Sequence, residues 1–509
     1  MKTYHIPAPV GGWNASQALD NMAPTDAVKL INWIPRETSI EMRKGSKKIT
    51  DSALGGPVET LVTYRDESGD EILIAGYDGK VSKISTTTGV ATELAIGFTN
   101  NQWQTININN LLVMCNGADT PQEYNGTALS DMAITGATAA DLIGITTFKG
   151  RAIYWEKKAA KFWYADAGAY TGALTAFPLE YTTQKGGYVM DCMTWTRDSG
   201  DGVDDLFVII MSTGETLVYS GSDPGSATDW SLIGKFTLGR PLTVRGSANL
   251  AADRIIITED GFVNLSTALQ VARVSEKGNV SSKIVEAVQE ATNRWGSKYG
   301  WEIIYHARES LLIVNIPRQT SESKPEDNVY NQYCMNTNTG AWTMFRGWQA
   351  ITFTEVAGDL FMGSSDGHIR KCFYEANDDT VAISTVVIPA FSTYGVPDRM
   401  KQATYVTVTT SCVNKENIGL GALADFNTRA FGGASVPTPI TGTQGTWNAS
   451  EWNEAYWSRS ASGDNDIHNY NLPVKALGYS LSFKMNIQSD MQIPKVYSFR
   501  QRFKMAGAV

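Results

Sequence analysis

The sequence predicts an all-β chain, and three observations carry that prediction. Glycine is abundant, at 46 of 509 residues, and aromatic residues are plentiful, with 14 Trp, 21 Tyr and 17 Phe. Short runs rich in β-branched and aromatic residues alternate with turns that carry Gly, Asp or Asn. A larger unit then recurs, made of one such run, a turn and a second run. It occurs at EILIAGYDGKVSKIS from Glu71, LLVMCNGADTPQEY from Leu111, RAIYWEKKAAKFWYA from Arg151 and LFVIIMSTGETLVYS from Leu206. It returns at RIIITEDGFVNLS from Arg254, at LLIVNIP followed by NQYCMNTNTGAW from Leu311, and at LFMGSSDGHIRKCF from Leu360.

Each unit reads as a hairpin, and Asp78-Gly79, Thr213-Gly214, Asp260-Gly261 and Asp366-Gly367 supply the positive-φ positions that tight turns need. The units start 40 to 57 residues apart, and a further strand-like segment precedes most of them: VETLVTY, QTININ, LIGITTF, YVMDCMTW, LTVRGSA, WEIIYHA and WQAITFT. Three to four strands in such a period make the blade of a β-propeller. A blade cannot bury both faces of its small sheet alone, so blades pack around an axis. Residues 53–376 are therefore expected to form a propeller of six to eight blades, with an array of β-sandwiches as the alternative.

One segment breaks the β pattern. SSKIVEAVQEATNRW places Ile284, Val285, Val288 and Ala291 mostly three or four apart, with Ser281 or Ser282 available as an N-cap, which predicts a short amphipathic helix between blades. After EANDDT the composition shifts. STVVIPAF, QATYVTVTT, GLGALADF, GYSLSFKMNI and VYSFRQRF alternate as strands, so residues 377–509 read as an antiparallel, sandwich-like β domain. Residues 1–52 show weak strand patterning and carry Trp13, Trp33, Arg36 and four prolines (Pro7, Pro9, Pro24, Pro35). They also hold the densest basic run, Arg43, Lys44, Lys47 and Lys48. The segment is expected to be an arm or docking element, since aromatic anchors beside arginine are common in interface hot spots. A Ser/Asn-rich loop, GTWNASEWNEAYWSRS, adds Trp447, Trp452 and Trp457, which either cap the core or form a second contact surface.

Composition narrows the function. The 43 Lys+Arg against 52 Asp+Glu leave a net charge of −9, a poor balance for gripping a duplex. Cys115, Cys192, Cys334, Cys372 and Cys412 are scattered singly, an odd set that predicts buried thiols rather than a disulfide framework. The four histidines form no zinc motif, and neither a G-x-S-x-G elbow nor a Gly-rich phosphate loop is present. Lys2 has no apolar segment behind it and no apolar run approaches 18 residues, so neither a signal peptide nor a membrane span is expected.

Two motifs invite a chemical reading. Asp198, Asp201, Asp204 and Asp205 place four carboxylates in eight residues, but without EF-hand spacing, and read as a solvated hairpin loop. SGSDPGSATDW (Ser220–Trp230) is similar to the Asp-box turns of sialidase-type propellers. It occurs once, with different spacing, and such boxes are structural. No acid pair is assignable beside it. No catalytic, cofactor or metal site is expected.

Several segments together resemble one family, the tail-hub or nozzle (packaged-DNA stabilisation) proteins of short-tailed bacteriophages and their prophage relatives. The opening PAPVGGWN…MAPTDAVKLINWIPRETSIEMRKGS is similar to the family's Asn-Trp-x-Pro element (Asn32, Trp33, Ile34, Pro35) and Arg-x-Gly turn (Arg43, Lys44, Gly45). DGVDDLFVIIMSTGETLVYSGSDPGSATDWSLIGKFTLGRPL, RIIITEDGFVNLSTAL, YGWEIIYHARESLLIVNIPR and YCMNTNTGAWTMFRGW resemble consecutive family blades. The likeness is collinear over about residues 7–375 and weaker beyond 377, where the terminal VYSFRQRFKM strand is the common feature.

The resemblance implies a virion tail protein, assembled in the bacterial cytoplasm as a homo-oligomeric ring, commonly a hexamer. The ring would sit below the portal and head–tail adaptor and meet a fibre, needle or plug distally. It would pass packaged double-stranded DNA without reading its sequence. An acidic lumen would let DNA slide during ejection. A glycan-binding or glycan-degrading propeller, as in a tail spike or adhesin, is the rival reading, favoured by the many aromatic side chains. An intracellular scaffold propeller of WD type stands behind it, although its Gly-His and Trp-Asp signatures do not recur.

Overall fold

A computed structural model describes residues 1–198, 203–250, 253–270, 279–319, 329–412, 417–428, 443–444, 455–456 and 467–506. The chain divides into two compact units, one of residues 48–330 and 349–371, the other of 1–47, 331–348 and 372–509.

The first unit is a β-propeller. Four four-stranded antiparallel sheets follow one another in chain order. Their innermost strands are Val58–Arg65, Gln104–Ile108, Leu142–Phe148 and Val189–Asp198. A three-stranded sheet opens with Ser247–Leu250, a set of antiparallel strands with Glu302–His306, and the last three antiparallel strands of the unit with Ala350–Val356. Among the described residues this makes seven blades, within the expected six to eight. The innermost strands pack beside one another from the first blade to the fourth and from the fifth to the seventh, and Ala350–Val356 returns to lie against Val58–Arg65, which closes the ring. The step from the fourth to the fifth blade is made by Ser247 Oγ, which donates to Asp191 Oδ2 at 2.9 Å.

Turn chemistry matches the sequence reading. Asp78 and Gly79 have φ of 48° and 68°, the pair of left-handed positions that a two-residue hairpin turn needs. The innermost strands carry a feature no local pattern announced. Pairing slips by one residue between Val58 and Thr60, Leu142 and Gly144, Val189 and Asp191, and Ala350 and Thr352. Each slip is a β-bulge, which re-aims the following side chains.

The blades are held together by apolar clusters between neighbouring sheets. One contains Phe148, Phe162, Phe207, Tyr219 and Trp230. Trp230 lies parallel to Tyr219 at 5.2 Å and edge-on to Phe148 at 5.9 Å. Such ring pairs add about 0.5–1.5 kcal/mol each beyond the area they bury. Trp230 closes the Ser220–Trp230 loop. There Asp229 Oδ2 accepts the backbone N–H groups of Ser222 (2.6 Å) and Asp223 (2.8 Å), and these bonds hold its carboxyl below the usual range. Its carboxylate ties the loop to itself.

The expected helix forms at Val285–Trp295 after a 3-10 turn, and it buries Val288 and Ala291, with Ile284 buried just before it. Its capping differs from expectation. Ser281 Oγ accepts Phe262 N–H (2.9 Å) and donates to Asn279 Oδ1 (2.6 Å), so it serves the blade instead of the helix. A second, six-residue helix, Leu265–Gln270, follows the fifth blade.

The second unit is built around two sheets. In one, Lys495–Met505 pairs with Lys401–Thr410 on one side and with Lys2–Pro7 and Ile40–Met42 on the other; His468–Gly478 extends it. In the other, the order is Asp26–Ile31, Val381–Pro389, Leu481–Ser489, Ile418–Ala424. Phe483 from one sheet meets Phe499 from the other edge-on at 4.8 Å. This is the antiparallel C-terminal domain the alternation predicted, with different limits. The expected boundaries near 52 and 376 fall at 47 and 371, and residues 1–47 are strands of this unit instead of a separate arm. Residues 331–348 also join it, not the propeller.

Candidate functional site

Two constellations stand out, one in each unit. The first gathers the residues that carried the family resemblance. Asn32 adopts φ of 58°, a left-handed conformation that Asn tolerates better than most residues, and every polar group of its side chain is used. Its Oδ1 accepts Arg43 Nε (2.9 Å) and the Arg346 backbone N–H (2.8 Å), while its Nδ2 donates to Ser384 O (2.8 Å).

Arg43 is completely buried. Its two terminal nitrogens reach the Asp378 carboxylate at 3.1 and 2.6 Å and also donate to the Lys44 and Arg346 carbonyls, both at 3.0 Å. The guanidinium stacks 4.9 Å from the Trp348 ring, whose Nε1 donates to Asp378 Oδ1 at 3.1 Å. Gly45 completes the turn because a Cβ there would lie 1.7 Å from the Asn377 carbonyl oxygen. Only glycine allows that approach.

This placement corrects part of the interface expectation. Trp33 and Arg43 are interior groups, and Trp13 is buried with its ring edge-on to Tyr333 at 5.3 Å. Arg36 is half-buried and pairs with Glu41 at 2.9 Å. Lys44 is partly covered. Lys47 is exposed, 3.7 Å from Glu375 and over the Tyr374 ring, and Lys48 is exposed. Trp447, Trp452 and Trp457 lie outside the described residues, as does Asp201. Asp205 accepts a bond from Thr196 at 2.7 Å.

The second constellation lies on the propeller axis. All seven innermost strands contribute to a cavity of about 450 Å³, and its charged lining consists of Asp191, Arg245, Arg254 and Glu302. Arg245 bridges blades. It donates to Glu59 O (3.1 Å), Thr60 Oγ1 (2.7 Å) and Trp103 O (2.6 Å), and its guanidinium lies 5.4 Å from the Tyr299 ring centre. Glu59 is the bulge residue of the first blade, and its carbonyl also accepts the Tyr299 hydroxyl at 2.6 Å. Burial pushes that phenol up to about 12. Glu302 accepts the Phe353 backbone N–H at 2.9 Å; burial raises its carboxyl, with the Arg245 charge opposing.

Across the cavity, burial raises Asp191 to about 6 against the opposing pull of the Arg254 charge and the Ser247 hydroxyl. Arg254 reaches Ser247 Oγ at 3.1 Å. The Arg254 Nε and the indole N–H groups of Trp103 and Trp155, all on cavity-lining residues, are buried without partners. Sequence reasoning passed over this set because its members are spread from residue 103 to residue 302 with no shared spacing.

All five cysteines are buried thiols, none in a disulfide, and burial raises the Cys115, Cys192 and Cys334 groups. Among the described residues no three His, Cys, Asp or Glu side chains cluster closely enough to hold a metal ion, and no helix is long and apolar enough to cross a membrane.

Neither a family model nor a curated protein matches the chain. Solved structures similar to part of it include the computationally designed Ika8 protein (11% identity, TM-score 0.37, 71% of this chain and 99% of that one). Another is BBS1N in complex with ARL6DN (9%, 0.39, 65% and 98%). A third is YCF48 from Cyanidioschyzon merolae (11%, 0.37, 64% and 98%). At these values the likeness is broad; the propeller assignment rests on the sheet order and ring closure described above.

Proposed function

We propose that this chain is a structural virion protein, a subunit of the tail nozzle ring of a short-tailed bacteriophage. In this reading it extends the DNA channel below the portal and adaptor, helps retain the packaged genome and guides its ejection. One observation supports the reading above others. The motif residues that carry the resemblance, Asn32, Arg43, Arg346 and Trp348, include pairs far apart in sequence yet belong to one bonded constellation with Asp378. Residues that depend on one another in this way explain why such an opening and such a late segment would occur together.

The propeller axis is not the DNA channel. A 450 Å³ cavity crossed by Arg245 has no room for a duplex whose major groove alone is about 12 Å wide. In this reading the channel lies between copies, which makes a homo-oligomeric ring a requirement. The net charge of −9 suits a lumen that repels DNA and lets it slide.

The test is gold-labelled antibody against this chain on intact particles from a lysate that produces it. Label at the short tail below the capsid vertex supports the proposal. Label confined to the soluble fraction, with particles bare, overturns it and sends the chain to a glycan array.

A further inference from the structure

We propose that the axial cavity of the propeller is a binding site for one small oxyanion, a carboxylate or a phosphate, anchored by Arg254. This inference stands apart from the tail-ring reading and holds or fails without it. The cavity, of about 450 Å³, falls within the range of small-molecule sites and is lined by all seven innermost strands, so its walls are fixed by the closed ring.

The two arginines in it have different jobs. Arg245 spends its donors on the Glu59 and Trp103 carbonyls and the Thr60 hydroxyl, with Glu302 as the nearby countercharge; it is part of the frame. Arg254 makes one side-chain contact, to Ser247 Oγ, and its buried Nε has no partner. Asp191, the carboxylate on that side, feels the Arg254 charge but is joined to it by hydrogen bonds only through the same serine.

The unpaired groups have a common sign. Every buried polar side-chain atom without a partner on the lining residues is an N–H donor: Arg254 Nε, Trp103 Nε1 and Trp155 Nε1. A buried donor left without an acceptor costs about 1–3 kcal/mol, more when it is charged. A ligand that supplies acceptors and negative charge removes that cost at Arg254, where guanidinium geometry matches a carboxylate or phosphate edge. A cation would meet the same donors as repulsion.

The experiment is calorimetric titration of the full chain at pH 7.5 in an oxyanion-free amine buffer. Inorganic phosphate and malonate serve as separate probes, with chloride at matched ionic strength as the reference. Saturable binding of one probe with a one-to-one stoichiometry is expected, and which probe binds distinguishes the phosphate from the carboxylate source. R254Q should weaken it about tenfold or more, the loss of one charged hydrogen-bonding partner. D191N, isosteric and without the nearby negative charge, should tighten it about tenfold. No saturable heat with either probe up to about 10 mM overturns the proposal, as does equal affinity in R254Q. Should R254Q fail to fold, D191N decides, and unchanged affinity there overturns it too.

Discussion

Arg43 is the side chain whose removal the structure prices most directly. It has no exposed surface, makes five hydrogen bonds to side chains and carbonyls, and lies against the Trp348 ring. Replacing it with Met keeps much of the volume, strands the Asp378 carboxylate beside Trp348 and frees Asn32 Oδ1 from one donor. Breaking a fully buried ion pair from one side costs about 3–5 kcal/mol, chiefly because the remaining charge stays desolvated. This is an upper figure here, since Asp378 is 21% exposed and keeps the Ser46 and Trp348 donors. For a unit of about 200 residues, each kcal/mol moves Tm by roughly 2–4 °C, so R43M should lower the transition of that unit by up to roughly 6–20 °C. R43K keeps the charge but cannot present a fork to Asp378, and should fall between R43M and the parent. R43M/D378L should be no less stable than R43M, since it leaves no orphaned charge. Scanning calorimetry reads the transitions, and hydrogen exchange in the Asp26–Ile31 and Val381–Pro389 strands locates the loss. An R43M transition within about 2 °C of the parent would refute the reasoning, because it would mean the buried pair is not holding the unit together.

Three further outcomes follow from the same structure. Burial raises the Asp191 pKa to about 6, so folding favours its protonated form, and the associated stability is present below pH 3.8 and lost as pH rises through about 6. That amounts to about 3 kcal/mol, an upper figure, and melts of D191N in oxyanion-free buffer should exceed the parent at pH 7.5 and match it near pH 3.5. In the third blade, a Cβ on Gly144 would lie 2.1 Å from Trp155 Cζ2, so G144A should destabilise the propeller by about 1–3 kcal/mol in denaturant unfolding, and a neutral result would mean the indole moves freely. Deleting residues 1–47 removes strands from both sheets of the second unit together with Arg43; that unit's transition should disappear from calorimetry, whereas a dispensable arm would leave it intact.

What could be read from the sequence follows a physical divide between local and distant signals. Hairpins are local: alternation, aromatic content and turns such as Asp78-Gly79 lie within a dozen residues, so the blades and their approximate number are legible. The N-terminal segment looked like an arm because its strands do not alternate. The reason is burial on both faces: Asp26–Ile31 is mostly buried and Trp33–Pro35 wholly so, and a strand covered on both sides has no period of two to show. Ser281 looked like a helix cap because the local sequence permits it, but the Phe262 N–H needed its oxygen more. The axial cavity is the extreme case. Its charged residues come from three successive blades and meet only after the blades pack together, with bulges such as the one at Glu59 setting which groups face the axis.

The same logic changes where partners should be sought. Trp33, Arg43 and the Arg-x-Gly turn resemble docking elements in composition, yet Trp33 has no exposed surface and the polar atoms of Arg43 are consumed within its own unit, by Asn32, Asp378 and the Lys44 and Arg346 backbone. A side chain with no exposed surface cannot steer or grip a second chain. If this protein joins a ring, the contact surface is drawn from other residues, and substitution of Arg43 would impair assembly only by unfolding its unit. Assembly and stability should then fall together in R43M, whereas substitution of exposed Lys47 and Lys48 should leave stability unchanged and isolate any loss of assembly as a loss of contact.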